Sequence, residues 1–436
     1  MAESVSATII VVGAGPAGIA AATRAAEAGA NVVVLDEAPS PGGQIWKHRR
    51  SAQAPRAAQK WIARFTKSGA RLIRGAQVIA AGEAGRELRA ELSDSPGKML
   101  DLRCEKLILA TGARERFLPF PGWTLPNVIG VGAAQALIKA GVSFRGRRVA
   151  VAGSGPLLLP AAAALAAGGA QVALVAEQAP GEAVARFAAG LVFQPAKIAQ
   201  AVLYRRRFFN ASYRTGLWVA SARGDDRVRE AVFTDGRRAR TVSCDVLCCG
   251  YGLVPNLELP MLLGCAIEKG FVAVDERQQT SVPTVSAAGE LTGIGGVDRA
   301  LVEGEIAGLS AAGKSEVAGR LRARRARLEL FAARLAKSFA LREELKSLAR
   351  PDTIVCRCED VVLSRLDPSW QRRQAKLYSR AGMGPCQGKV CGPALEFLFG
   401  WESDSVRVPL RPTPLSGWAL PGPEGGASPN ERADSR

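Results

Sequence analysis

The 436-residue chain is longer than one core usually organises, and with 47% hydrophobic and 22% charged residues it is neither a disulfide-stapled miniprotein nor a globally disordered chain. A formal net charge of +18 opens nucleic acid, an anionic surface or an acidic partner, but the basic residues are scattered, and no nucleic-acid partner is expected. A single histidine, His48, excludes a multi-histidine metal site, while nine cysteines in odd number, no N-terminal signal peptide and no apolar run of about 20 residues indicate a reducing cytoplasm, with peripheral attachment to the inner membrane open.

Residues 7–12 read ATIIVV, a buried strand, followed by Gly13-Ala-Gly15-Pro-Ala-Gly18 and an Ala-rich helical stretch to residue 28. In a strand-turn-helix the three glycines have separate tasks. Gly13 permits the tight turn, Gly15 lets backbone approach a pyrophosphate, and Gly18 lets helix and strand pack closely. The helix N-terminus then faces the phosphates. A second strand at 31–35 ends on Asp36 and Glu37, and one of these acids is placed to accept hydrogen bonds from ribose hydroxyls.

Three later segments sharpen which dinucleotide this loop takes. Residues 38–46 read APSPGGQIW, with Gly43 and Gln44; residues 107–113 read LILATGA, a strand running into Thr111 and Gly112; residues 284–296 read TVSAAGELTGIGG, with the pair Gly289 and Glu290. Over residues 7–312 these segments resemble the FAD contacts of the thioredoxin-reductase-like flavoproteins, which carry two dinucleotide domains. The resemblance implies FAD, held at Gly13, Gly15, Gly18, Asp36 or Glu37, Gly43, Gln44, Thr111, Gly112, Gly289 and Glu290. The family usually has Asp where Glu290 stands.

Between the two halves of that domain lies a second fingerprint. A strand at 148–152 leads into Gly153-Ser-Gly155-Pro-Leu-Leu158 and an Ala-rich helix, and a strand at 171–176 ends on Glu177. This is the position of an NAD(P)-type domain, with Gly153, Gly155 and Glu177 as its contacts. Leu158 departs from the pattern, because the third position should be small. The second nucleotide is therefore NAD(P), another nucleotide, or none in a degenerate site. Cys248 and Cys249, adjacent in a strand, face opposite sides and cannot form a redox pair. His48, in PGGQIWKHRR, reads as a solvent-facing or core histidine, and no catalytic side chain is assigned.

Residues 321–348 carry basic residues with apolar ones at helical spacing and read as an amphipathic linker helix packed on the flavin domain. After it come Cys356-x-Cys358, 27 intervening residues, and Cys386-x4-Cys391. Four thiolates on glycine-rich loops suit a soft-metal site, with zinc as the structural alternative. The pattern resembles the bacterioferritin-associated-ferredoxin-like domain, which implies one 2Fe-2S cluster on these four cysteines.

The fold class expected is α/β: two Rossmann-like dinucleotide-binding domains, one inserted in the other, plus a small helical ferredoxin-like iron-sulfur domain. The boundaries read are 1–115 and 251–312 for the two parts of the FAD domain, 116–250 for the middle domain, 313–350 for the linker, 351–401 for the cysteine domain and 402–436 for a tail, disordered after residue 420. Across residues 7–416 the order of motifs resembles the FAD-containing alpha subunits of opine oxidases, D-hydroxyproline dehydrogenases and hydrogen cyanide synthase. That resemblance implies a D-amino-acid-oxidase-like flavoprotein partner and a role in electron transfer, with an FMN at the subunit interface open. A self-sufficient NAD(P)H-dependent oxidoreductase is the alternative.

Overall fold

The computed structural model describes residues 3–46, 54–192, 194–403, 405–415 and 418. His48 and the segment after residue 420 lie outside them.

The first sheet is built outward from Glu3–Val12, whose last four residues are apolar and almost wholly buried. It pairs in parallel with Val32–Asp36 on one side and Met99–Leu109 on the other, and Arg71–Arg74 extends the first edge. Met99–Leu109 is long enough to serve two partners. Its first half pairs with the antiparallel strand Glu87–Leu92, which in turn pairs with Ala76–Ala81, and its second half pairs in parallel with Val285–Ala287. Parallel strands buried on both faces read as continuous apolar runs, which is why LILA and IIVV occur in the sequence without alternation.

Two helices lie against this sheet backbone to backbone. A Cβ on Gly304 or Gly308 of the helix Val297–Ala311 would stand 2.1 Å from the carbonyl oxygens of Ala17 and Ala21, respectively, of the helix Pro16–Glu27. Only glycine permits that approach. It brings Gly289, at the end of its strand, against Ala17 in the first turn after the glycine loop.

The middle domain is a second parallel sheet in the order Ser212–Thr215, Gln171–Glu177, Arg148–Gly153, Val246–Gly250, Val128–Gly130, backed by a three-stranded antiparallel sheet. The chain enters and leaves it through one antiparallel pair, Ala113–Glu115 with Leu253–Pro255. Cys248 and Cys249 sit in its sheet and pack into the cores on opposite sides. Burial raises both thiols, well beyond the ordinary cysteine range.

The linker departs from a continuous helix. Arg322–Ser338 is helical, and the helix stops at Phe339. The reason is tertiary: the carbonyls of Phe339 and Ala340 accept hydrogen bonds from Ser154 and Gln178 of the middle domain, which holds residues 339–342 away from helical geometry. The helix itself bridges two domains rather than lying on one. Arg325 reaches Glu303 of the flavin domain, and Phe331 meets Phe187 of the middle domain.

A third unit follows, with its own small core around Val355, Val361, Leu366, Leu395 and Trp401. It contains the antiparallel pair Ile354–Cys356 with Val361–Val362, and the helices Arg372–Ser379 and Cys391–Phe399. The chain then runs back to the first sheet, where the Leu410 N–H donates to the Ile79 carbonyl and Arg411 pairs with Glu37.

Candidate functional site

The first glycine loop is open above its second glycine. A Cβ on Gly13 or Gly18 would overlap the carbonyl oxygen of Ala110 or Gly13, at 2.3 and 1.7 Å, whereas a Cβ on Gly15 would meet nothing within 4 Å. The helix begins at Pro16, directly after Gly15. Proline at the first helical position has no N–H to leave unpaired. Asp36 ends the second strand with its carboxylate turned to the loop, accepting the N–H of Ala14 and, at 2.7 Å, that of Ala38. Glu37 points elsewhere and is paired with Arg411.

The other three segments gather around this loop. The Gly42 N–H donates to the Ala14 carbonyl at 2.7 Å, and Gly43 packs beside Gly15, so a Cβ there would sit 3.0 Å from the Gly15 Cα. Gln44 is exposed, its carbonyl held by Lys139 at 3.1 Å. Thr111 and Gly112 are locked to Asn256: its side-chain amide donates to the Thr111 carbonyl at 2.8 Å, and its N–H donates to the Gly112 carbonyl at 3.0 Å. Glu290 is almost buried. One carboxylate oxygen accepts the Gly296 N–H at 3.0 Å and the other has no partner. Burial pushes its carboxyl up to about 7, against the lowering effect of that N–H and of Arg299.

Residues not singled out in the sequence support this loop from behind. Glu303, with no exposed surface, accepts the Gly289 N–H at 3.0 Å and the Thr292 hydroxyl at 2.7 Å, and pairs with Arg299 at 2.8 Å. The signal that could have found part of this arrangement is the Gly304-x3-Gly308 spacing, which matches Ala17-x3-Ala21.

The second glycine loop repeats the first in its bonding and differs in its surroundings. Glu177, fully buried, accepts the N–H of Gly155 at 2.7 Å and of Ala179 at 2.9 Å. Each glycine loop is thus tied to an acid 22 residues further on, and that acid to the residue two beyond itself. Burial raises the Glu177 carboxyl to about 7, the two N–H groups working the other way. The helix here begins only at Leu158, three residues past Gly155. Leu158 does not intrude on the loop; its side chain is packed in the domain core beside Val149 and Val151. What crowds the loop comes from far along the chain. The Ser154 hydroxyl donates to the Phe339 carbonyl at 2.8 Å, Gln178 donates to the Ala340 carbonyl at 3.0 Å, and a Cβ on Gly155 would stand 3.9 Å from the Phe339 side chain. The Phe339 ring is in turn held edge-on by Phe187, centroids 5.1 Å apart.

The four C-terminal cysteines line one cavity of about 150 Å³, together with Phe117, Trp123, Arg357 and Val390. Among the described residues no group of three or more His, Cys, Asp or Glu side chains is arranged to hold a metal ion. They are grouped as Cys356 with Cys391 and Cys358 with Cys386, by thiol contacts. The Cys391 thiol and the backbone N–H groups of Gly382, Glu359 and Cys358 stabilise the Cys356 thiolate and bring it down to about 6. Gly384 backs the site, since a Cβ there would be 2.3 Å from the Cys358 Cβ. Trp123, from the connection into the middle domain, donates through its indole N–H to the Ile354 carbonyl at 2.6 Å.

No helix among the described residues is long and apolar enough to cross a membrane. Residues 7–312 match the model of the family described as pyridine nucleotide-disulphide oxidoreductase. An opine oxidase subunit of Rhizobium meliloti strain 1021 is 34% identical, over 93% of this chain and 97% of its own. The HcnB subunit of hydrogen cyanide synthase from Pseudomonas aeruginosa is 32% identical, over 91% and 92%. Among solved structures, L-proline dehydrogenase from P. horikoshii shares the fold with a TM-score of 0.66 at 17% identity, covering 96% of this chain and 81% of its own. Thioredoxin reductase of T. acidophilum matches at 0.56 and 21% identity, covering 71% and 99%. The open loop with its orphaned Glu290 oxygen fits the flavin of this family, and the chain belongs to the pyridine nucleotide-disulphide oxidoreductases, as a FAD-dependent oxidoreductase related to the opine oxidase protein and to HcnB.

Proposed function

We propose that the chain is the electron-transfer subunit of a heteromeric amino-acid or opine dehydrogenase, with FAD on the first glycine loop and a 2Fe-2S cluster on Cys356, Cys358, Cys386 and Cys391. The observation that carries the reading is the four-cysteine cavity. Residues far apart in sequence bring their thiols around one space, backed by a glycine and by backbone N–H groups directed at sulfur.

When bound, a flavin takes up an electron pair and a 2Fe-2S cluster passes electrons singly. The chain's own residues supply binding and alignment. The turn at Gly15 and the start of the helix at Pro16 would place the pyrophosphate of a bound dinucleotide, Asp36 fixes the loop through the Ala14 and Ala38 N–H groups, and the free oxygen of Glu290 would accept a hydroxyl of the ribityl chain. Glu290 is carried at its position by Glu303 and Gly289. Substrate oxidation, the loss of a hydride from the carbon that bears nitrogen to give an imine, is assigned to a partner of the D-amino-acid-oxidase type. The names of the relatives, both of them subunits, support a heteromer.

The alternative, direct oxidation of NAD(P)H, needs the second glycine loop. Residues 339–340 are hydrogen-bonded across that loop, which speaks for a structural role instead. The test is reconstitution. The purified chain mixed with an oxidase-like partner should reduce an artificial dye in the presence of an amino-acid or opine substrate, well above either protein by itself; equal rates with and without the chain would end the proposal.

A further inference from the structure

The flavin loop and the cysteine loop belong to different domains, yet one side chain holds both. Arg114 lies in the strand Ala113–Glu115, two residues after Gly112. Its Nη1 donates to the Asn256 side-chain oxygen at 2.7 Å and pairs with Glu258 at 2.9 Å, while its Nε donates to the Lys389 carbonyl at 3.1 Å. Asn256 is the residue that pins Thr111 and Gly112. Lys389 sits between Cys386 and Cys391, its N–H donating to the Cys386 carbonyl at 3.1 Å. A continuous set of hydrogen bonds therefore runs from Thr111 through Asn256 and Arg114 to the loop that carries two of the four cysteines. Arg116, directly after the strand, is half-buried and feels the charge of Glu396 in the helix Cys391–Phe399.

We propose that Arg114 is the positioning residue that fixes the cysteine loop relative to the flavin loop, and so sets how fast electrons pass between them. The inference rests on the cofactor reading above. The planar guanidinium is what the site requires: its donors meet an amide oxygen, a carboxylate and a backbone carbonyl in fixed directions. A lysine placed there keeps the charge and can keep the Glu258 contact, but cannot span all three. Electron passage between two centres falls steeply with separation, so loosening this loop slows it even when both groups stay bound.

The experiment compares the full chain with Arg114→Ala and Arg114→Lys. Hydrogen exchange at the amides of residues 386–391 reads the clamp itself and requires no cofactor. Anaerobic rapid mixing with a substoichiometric chemical reductant, following flavin and cluster absorbance separately, reads the transfer. We expect Arg114→Ala to retain FAD and iron, to exchange faster in the cysteine loop, and to equilibrate electrons between the two groups about tenfold more slowly, with Arg114→Lys restoring only part. Unchanged exchange together with an unchanged transfer rate in Arg114→Ala, or full recovery in Arg114→Lys, would overturn the proposal. Should Arg114→Ala not fold, Arg114→Lys decides it, since wild-type exchange in that variant contradicts the clamp. A wild-type chain that binds neither FAD nor iron would contradict the cofactor reading, and the exchange result would still decide the clamp.

Discussion

The two glycine loops start from nearly the same sequence and end in different situations. Both follow a buried parallel strand, both are tied by an N–H to an acid 22 residues later, and both acids also hold the residue two beyond themselves. The first stays open above Gly15, with its helix starting at once; in the second the helix starts three residues later and Phe339 stands over Gly155. The fingerprint thus specifies a backbone shape, and whether that shape holds a ligand is decided by what else packs on it. In one domain the neighbouring segment is APSPGGQIW, which packs beside the loop through its glycines; in the other it is the end of the linker helix, which brings a phenylalanine and two carbonyls onto the loop.

The largest effect that would sharpen this contrast lies in neither loop. Cys391→Ser removes one of four thiols around the cavity and should abolish iron and labile sulfide while the FAD-to-protein ratio stays at the wild-type level. Loss of both together would mean that the two sites are not separable. Next come paired substitutions at the third position of each fingerprint. Leu158→Ala leaves a hole beside Val149 and Val151 and should cost about 2–5 kcal/mol of stability with FAD content unchanged. Gly18→Ala forces a Cβ onto the Gly13 carbonyl and should cost about 1–3 kcal/mol together with loss of bound FAD. Thermal unfolding and the flavin absorbance ratio check both, and FAD loss in Leu158→Ala would break the contrast.

A smaller effect is expected from Phe339→Ala. It removes the edge-on contact with Phe187, worth about 1 kcal/mol, and uncovers Gly155. Calorimetry should then detect ADP binding that the wild-type chain lacks; no binding in the variant would show that residue 339 is not what closes the loop.

The last effect is a pH dependence. With the Glu177 carboxyl raised to about 7 in the folded chain from an ordinary value near 4.5, the unfolded chain gives up the proton first. Its contribution to stability is therefore full below pH 4.5 and falls as pH rises toward 7. Glu177→Gln should flatten that part of a plot of unfolding temperature against pH, and an unchanged slope would place the dependence elsewhere.

Much of the fold is legible in the sequence because it is local. A run such as ATIIVV before Gly13, or LILA before Thr111, announces a buried strand and a turn within a dozen residues, and the grouping of four cysteines needs only their spacing. Most of what is not legible depends on partners more than 100 residues away. The break at Phe339 cannot be read from residues 321–348, whose spacing continues to suit a helix, because the competing donors are Ser154 and Gln178. Leu158 reads in sequence as an obstruction to phosphate, yet it is turned into the core. Asp36 and Glu37 are equivalent in sequence; the fold turns Asp36 to the Ala14 and Ala38 N–H groups and leaves Glu37 to Arg411, which arrives from far along the chain. Arg114 carries no motif at all, and its role follows from where residues 256, 258 and 389 arrive.

The difference between the two loops is tested most directly by an anaerobic titration of the purified flavin-containing chain with NADH and then NADPH, followed at the flavin absorbance band. This difference requires that the band does not bleach with either nucleotide, and that it does bleach when an amino-acid or opine substrate is added with an oxidase-like partner. Stoichiometric bleaching by NADH in the isolated chain would contradict it, because the second glycine loop would then have to bind a nucleotide in the place where Phe339 lies.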